Sequence, residues 1–209
     1  MNIVIVSEIS AVAQNPAIVA ALEGRGHRII NAAMTSADQK PELTYVNTGF
    51  LAALLLNAGR ADLVVGGCGT GEGFLISASQ YPGVFCGLIA NGPDAWLFGQ
   101  INGGNCVSLP LLYGYGWAGD VNLRFIFDRL FSVEFGAGYP AHRSESQKKS
   151  RALLAAVSKT AHRPFPEIVA GIDEAVIRPV LEFPGVLNTI GLETLADAAL
   201  RDAIGSRLK

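Results

Sequence analysis

Eight consecutive residues, Gly66-Gly67-Cys68-Gly69-Thr70-Gly71-Glu72-Gly73, place a thiol, a hydroxyl and a carboxylate inside a run of glycines. A β-branched stretch precedes the run and a helical pattern follows it. In such a turn the small residues let backbone N–H groups converge on one anion, and the helix N-terminus adds partial positive charge. The run is not a P-loop, since G-x-x-x-x-G-K-[ST] is absent, and the dinucleotide spacing G-x-G-x-x-G fails at Glu72 and Phe74. The chemistry that suits it is abstraction of a proton beside a carbonyl. A base takes the proton, and the N–H groups of Gly69 to Gly73 hold the developing enediolate oxygen. Cys68 stands where a strand ends and a helix begins, which favours its thiolate. Glu72 stands in the first helical turn, where the dipole favours its carboxylate. Either is a candidate base, and Thr70 lies between them as a hydroxyl donor. Each also has a plainer role, Cys68 as a small buried hydrophobe and Glu72 as a partner of the helix dipole.

The elements that must position this turn alternate. Ile3 to Val6 reads as a strand buried on both faces, as parallel strands are. A helix follows over about 15–23, ended by Gly24 and Gly26, then a strand over 27–30 and a helix over 44–58. Strands over 61–66, 84–89 and 105–109 alternate with helices over 73–80 and 93–100. That pattern predicts a doubly wound α/β sandwich on a parallel sheet, with ligands at the carboxyl ends of the strands. Beyond it the chain reads as helices over 121–131, 145–159, 167–181 and 192–208. The expected division is an α/β domain over residues 1–160 and a helical extension over 161–209. The extension either packs on the sandwich or its partner, or covers the mouth of the site.

Composition narrows the function. The chain has 209 residues, half of them hydrophobic, with 16 basic against 18 acidic side chains. A net charge of −2 lacks the basic excess of a nucleic-acid surface. Cys68, Cys86 and Cys106 form no C-x-x-C and no cluster with histidine, so neither a zinc site nor a disulfide framework is expected, and Cys86 and Cys106 read as core residues in strands. The first residues lack a basic signal-peptide region, which points to the cytoplasm. Between Glu72 and Asp120 lie 47 residues in which Asp94 is the only charge. Proline and glycine break this run too often for a membrane helix. A buried sheet core and a surface covered by another subunit explain it.

The segment Cys68-Gly69-Thr70-Gly71-x-Gly73, followed by Ile76-Ser77-Ala78 and Pro82-Gly83-Val84, resembles the ribose-5-phosphate isomerase B / galactose-6-phosphate isomerase family. The resemblance runs from about Tyr45 to about Lys159. It implies a Rossmann-like sandwich, a homodimer with active sites at its interface, no metal or other cofactor, and aldose–ketose isomerisation through an enediol. Carried over residue by residue, Cys68 falls on the family's base, Thr70 on a threonine of ring opening, and Glu72 on the glutamate that serves members lacking the cysteine. Tyr45 falls on a substrate-contacting tyrosine, Asn102 and Asn105 on asparagines of the family's His-Asn-Asp-x-Asn segment, and Arg143 on the second of two phosphate-binding arginines. Glu8, with Gly69, Gly71 and Gly73, completes the expected substrate-binding set.

The departures are specific. Glu8-Ile9 stands where the family has Asp-His, Ile101 replaces the ring-opening histidine, and Gly103 the aspartate after it. Leu112 and Tyr139 stand at two arginine positions, and Lys148, Lys149 and Arg151 are the nearby cations that can replace the lost charge. The expectation is a sugar-phosphate isomerase of the ribose/galactose type acting on a small molecule, with neither nucleic acid nor membrane as partner. The alternatives are an isomerase or epimerase of a related open-chain sugar derivative, and a non-catalytic sugar-phosphate-binding protein on the same scaffold.

Overall fold

The computed structural model describes residues 1–208. Five strands, β1 (Asn2–Val6), β2 (Arg28–Asn31), β3 (Leu63–Cys68), β4 (Cys86–Leu88) and β5 (Cys106–Pro110), form one sheet in the order β2-β1-β3-β5-β4. Every pairing is parallel. The pleat sends alternate residues to opposite faces. Ile3, Ile5, Val65 and Val107 pack under α1 (Asn15–Leu22), α4 (Gly92–Leu97) and α5 (Gly119–Leu130). Val4, Val6, Val64 and Cys106 pack under α2 (Tyr45–Asn57) and α3 (Glu72–Ala78). The result is the expected Rossmann-like three-layer sandwich. From β1 the chain winds to β2 on one side and to β3 on the other. The crevice at the carboxyl ends of β1 and β3 is therefore the switch point at which such sheets bind ligands.

The second half departs from the expected helices in detail. α6 (Ser144–Ala161) follows a 3₁₀ turn over Ala141–Arg143. The stretch expected as one helix over 167–181 is two, α7 (Phe165–Gly171) and α8 (Glu174–Glu182). Ile172 between them is extended, and the Asp173 carboxylate caps α8 by accepting from Ala175 N at 2.8 Å. A short α9 (Val186–Ile190) follows. Of the helix expected over 192–208 only α10 (Ala198–Ser206) forms, with Asp197 as its cap. No helix among the described residues is long and apolar enough to cross a membrane.

The helices after α6 share a core with the sheet. Asn47 to Leu55 of α2 are buried on every side, the sheet lying beneath and α7 to α10 above. Phe165 stacks on Phe50 with ring centroids 6.2 Å apart and meets Tyr81 edge-on at 6.3 Å. Burial pushes the Tyr81 phenol up to about 12. At the other end of α2, Arg60 donates to the carbonyls of Ile190 and Gly191 and to Thr194 Oγ1 at 2.7 to 3.0 Å. Because the packing is continuous, Phe165→Ala should lose about 3–5 kcal/mol. In urea unfolding followed by far-UV circular dichroism and tyrosine fluorescence, both signals should keep one shared midpoint, shifted to lower denaturant.

Candidate active site

The fully buried run of β3 ends at Cys68, which is 6% exposed and faces the α2 side of the sheet. The chain then reverses. Gly71 N donates to Cys68 O at 3.3 Å, and Gly71 itself takes φ +79° and caps α3. Thr70 Oγ1 lies 3.9 Å from Cys68 Sγ and accepts from Glu72 N at 3.3 Å. Glu72 opens α3 with its side chain in solvent. Of the first-turn amides, that of Glu72 is taken by Thr70, while Gly73 and Phe74 have no acceptor within the helix. One turn thus carries a sheltered thiol, a hydroxyl beside it, an exposed carboxylate and two amides without a helical acceptor.

Neighbouring elements close around this turn. The Tyr45 ring, at the first position of α2, lies so close over Gly73 that a Cβ there would stand 3.1 Å from it. Tyr45 is 45% exposed and so forms one wall of an open site. After β5 the chain is tied to the same turn, Leu111 N donating to Cys68 O at 3.0 Å and Leu112 N and Tyr113 N to Gly69 O at 3.0 and 2.8 Å. Sequence reasoning missed this contribution of residues 111–113, because its signal is only the parallel neighbourhood of β3 and β5. Glu8 follows β1, whose register Val6↔Gly66 sets it beside the end of β3. Its carboxylate is buried and turned back on its own chain, accepting from Ser10 N at 3.0 Å and from Ser10 Oγ.

Two expected site residues stand elsewhere in the protomer. Asn102 is exposed at the end of a π-turn over Phe98–Asn102. It lines a cavity of about 600 Å³ beside edge strand β4 with Cys86, Leu88, Asp94 and Arg151, and Cys68 does not border that cavity. Arg143 is exposed just before α6, and its Nε donates to Ser146 Oγ at 3.3 Å. Asn105 is structural, accepting from Phe85 N and donating to Gly83 O, both at 2.8 Å. Arg151 is likewise occupied by the carbonyls of Ile101 and Gly136, and Lys148 pairs with Glu145 at 3.1 Å. Cys106 is a core residue whose burial pushes its thiol well up, whereas Cys86 lines the cavity wall. Among the described residues no three His, Cys, Asp or Glu side chains come together as a metal site.

Residues 3–146 match the family described as Ribose/Galactose Isomerase. No curated protein matches the chain. Two solved structures are similar over the full length. One, a 4-deoxy-L-threo-5-hexosulose-uronate ketol-isomerase complexed with a tartrate, is 33% identical with a TM-score of 0.93, covering 100% of this chain and 99% of its own. The other, a ribose-5-phosphate isomerase from Vibrio parahaemolyticus, is 34% identical with a TM-score of 0.93 over 99% of each chain. The ribose-5-phosphate isomerase B of Clostridium thermocellum, 21% identical with a TM-score of 0.64, shares the fold over 78% of this chain and 100% of its own. The two full-length matches span the helices after α6 as well.

Position 71 has two separate reasons to be glycine. A Cβ there would lie 2.5 Å from Leu88 Cδ1 and 3.0 Å from Pro110 N, on top of the left-handed φ. Gly24 has a similar φ of +75° with nothing within 4 Å. Gly24→Ala should therefore cost only the left-handed penalty, about 1–2 kcal/mol. Gly71→Ala adds overpacking of about 1–3 kcal/mol. Chemical denaturation of the two variants measures the crowding as their difference.

Proposed function

The chain belongs to the ribose/galactose isomerase family, a family of sugar isomerases, and from that premise we propose that it is a cofactor-independent aldose–ketose isomerase acting on the open-chain form of an acidic sugar. The observation that carries the reading is the turn at the switch point, where Cys68, Thr70 and Glu72 follow one another on a loop beside Tyr45 and the amides of Gly73 and Phe74 have no acceptor within the helix.

The reaction follows from that surface. Cys68, as thiolate, or Glu72, as carboxylate, removes the proton on the carbon next to the substrate carbonyl. The electron pair moves onto the carbonyl oxygen, and the N–H groups of the turn hold the resulting enediolate. The hydroxyl proton shifts between the two oxygens with Thr70 as the adjacent donor and acceptor. The protonated base then returns its proton to the former carbonyl carbon, so no atom or electron is gained or lost. Tyr45 covers the sugar from above.

The substrate class rests on what surrounds the turn. A ring-opening step needs a proton donor, and position 101 offers isoleucine, its carbonyl already bonded to Arg151 at 2.7 Å. Leu112, 52% exposed beside Gly69, puts an apolar side chain where the family resemblance calls for an arginine. An open-chain sugar needs no ring-opening donor, and the full-length relative complexed with a tartrate is a ketol-isomerase of a hexosulose uronate. The sugar-phosphate reading keeps Arg143 in its favour and is the second one tested.

Completion of the site requires a second copy. α6 has 18 residues and buries none of them, and its Leu153, Leu154 and Val157 are 66%, 57% and 51% exposed. A homodimer built on this face covers them and delivers Asn102 and Arg143 of one protomer to the Cys68 turn of its partner.

Proton NMR in deuterated water, over a panel of open-chain uronates and five- and six-carbon sugar phosphates, tests the chemistry. Wild type should wash out the α-proton of a uronate, and either Cys68→Ala or Glu72→Gln should lower that exchange by about 10²-fold or more, naming the base. Exchange confined to sugar phosphates would instead favour the second reading, and binding without any exchange would sink both. The dimer has its own check. Whichever base variant is inactive, Cys68→Ala or Glu72→Gln, mixed and reassembled with an inactive Arg143→Ala chain, should regain about a quarter of the wild-type sites. No recovery in a mixture shown to be dimeric would refute a shared site.

A further inference from the structure

Helix α8 lies wholly beyond the 3–146 segment that matches the family, yet it touches the element that carries Tyr45. Asn47, the third residue of α2 and only 5% exposed, faces both ways. Its Oδ1 accepts from Thr44 N at 2.9 Å and Thr44 Oγ1 at 2.8 Å, closing the first turn of α2. Its Nδ2 donates to the carbonyls of Ala175 and Val176 in the first turn of α8, at 3.0 and 3.1 Å. The Ala175 carbonyl is open for a definite reason. In an α-helix it would accept from the amide four residues on, and that residue is Pro179, which has none. The Ala175 carbonyl therefore lacks its helical donor, and Asn47 supplies one.

We infer that this contact is a clamp by which the C-terminal helices set the active site: α8 grips Asn47, Asn47 fixes the first turn of α2, and that turn holds Tyr45 against Gly73. Asn47 is a positioning residue, and the inference rests on the reading of Tyr45 as a wall of the substrate site. Two further contacts carry the same rigidity into α3. Ser77 Oγ donates to Val46 O at 3.3 Å, and Gly49 packs so tightly on Ser77 that a Cβ there would overlap it. The first turn of α2 is thus held from α3 on one side and from α8 on the other. Loss of the α8 side frees Tyr45 to lift from Gly73 and uncovers the amides beneath it.

Asn47→Asp is the decisive variant. It keeps the oxygen acceptors for Thr44 and removes the donors to α8. Hydrogen–deuterium exchange needs no substrate and is read on wild type and variant alike. Exchange should accelerate at residues 44–48 and also at 69–74. On whichever sugar wild type turns over, KM should rise about five-fold, the effect of one ordinary hydrogen bond, with kcat changed less than about two-fold. In a Tyr45→Ala background the KM effect of Asn47→Asp should vanish. If Asn47→Asp does not fold, Asn47→Asp with Pro179→Ala replaces it, since the new amide at 179 satisfies the Ala175 carbonyl, the acceptors for Thr44 remain and the clamp is gone. The same pattern is expected. Faster exchange at 44–48 and 174–178 with wild-type exchange at 69–74 would make Asn47 a structural contact only and overturn the inference. Should wild type isomerise no sugar, the functional reading fails, and exchange at 69–74 still decides the clamp.

Discussion

Everything around the reactive turn depends on the backbone reversal at Gly71, where neither the φ of +79° nor the 2.5 Å approach of Leu88 leaves place for a side chain. Its amide returns to the Cys68 carbonyl and its own carbonyl receives Ser108 Oγ at 2.5 Å. The turn is thereby stitched to β5 as well as to β3. The exit of β5 is stitched back in return, through the amides of Leu111, Leu112 and Tyr113. Cys68, Thr70 and Glu72 thus ride on a segment hydrogen-bonded to two strands, the kind of fixed backbone on which reacting groups can be positioned.

The same economy governs the two faces of the sheet. One face is closed by α1, α4 and α5. On the other, α2 carries the load twice, burying one side on the strands and the other under the C-terminal helices. That double burial explains why α2 contains no charged residue between Tyr45 and Asn57. It also makes α2 a rigid connector between the extension and the site, since a helix packed on all sides cannot shift without moving its neighbours.

Much of this was legible in the sequence, and the unread parts share a cause. Ile3 to Val6, Ala61 to Gly66 and Asn105 to Leu109 announce themselves as strands because both faces are buried and no polar alternation interrupts them. The glycine run around Cys68 was legible because closely spaced glycines with reactive side chains have few structural uses. The position of β5 between β3 and β4 was not, because strand order is a property of long-range pairing and leaves no local pattern. The division of 167–181 into α7 and α8 turns on the Asp173 cap, which apolar spacing across the break conceals. Glu8 was readable as a residue at a strand end. Its engagement with Ser10 was not, since a carboxylate's choice between a ligand and a nearby amide is settled by φ and ψ.

The distribution of the site over the chain bears on how its chemistry and its specificity can vary separately. The groups suited to moving the proton all belong to one turn, residues 68 to 73. Three of the positions where this chain departs from the family resemblance lie outside it: Ile101 in the π-turn, Leu112 after β5, Tyr139 before α6. None of the three makes a side-chain hydrogen bond that holds the turn, and the Tyr139 ring meets the edge of Trp96, with centroids 5.0 Å apart. The side chains at those positions take no part in the hydrogen bonds of Gly71 or of the Cys68 and Gly69 carbonyls. The turn that carries the candidate base is therefore tied into the sheet's own hydrogen bonding, while Leu112 and Tyr139 lie at exposed ends of elements, where the cost of change is small.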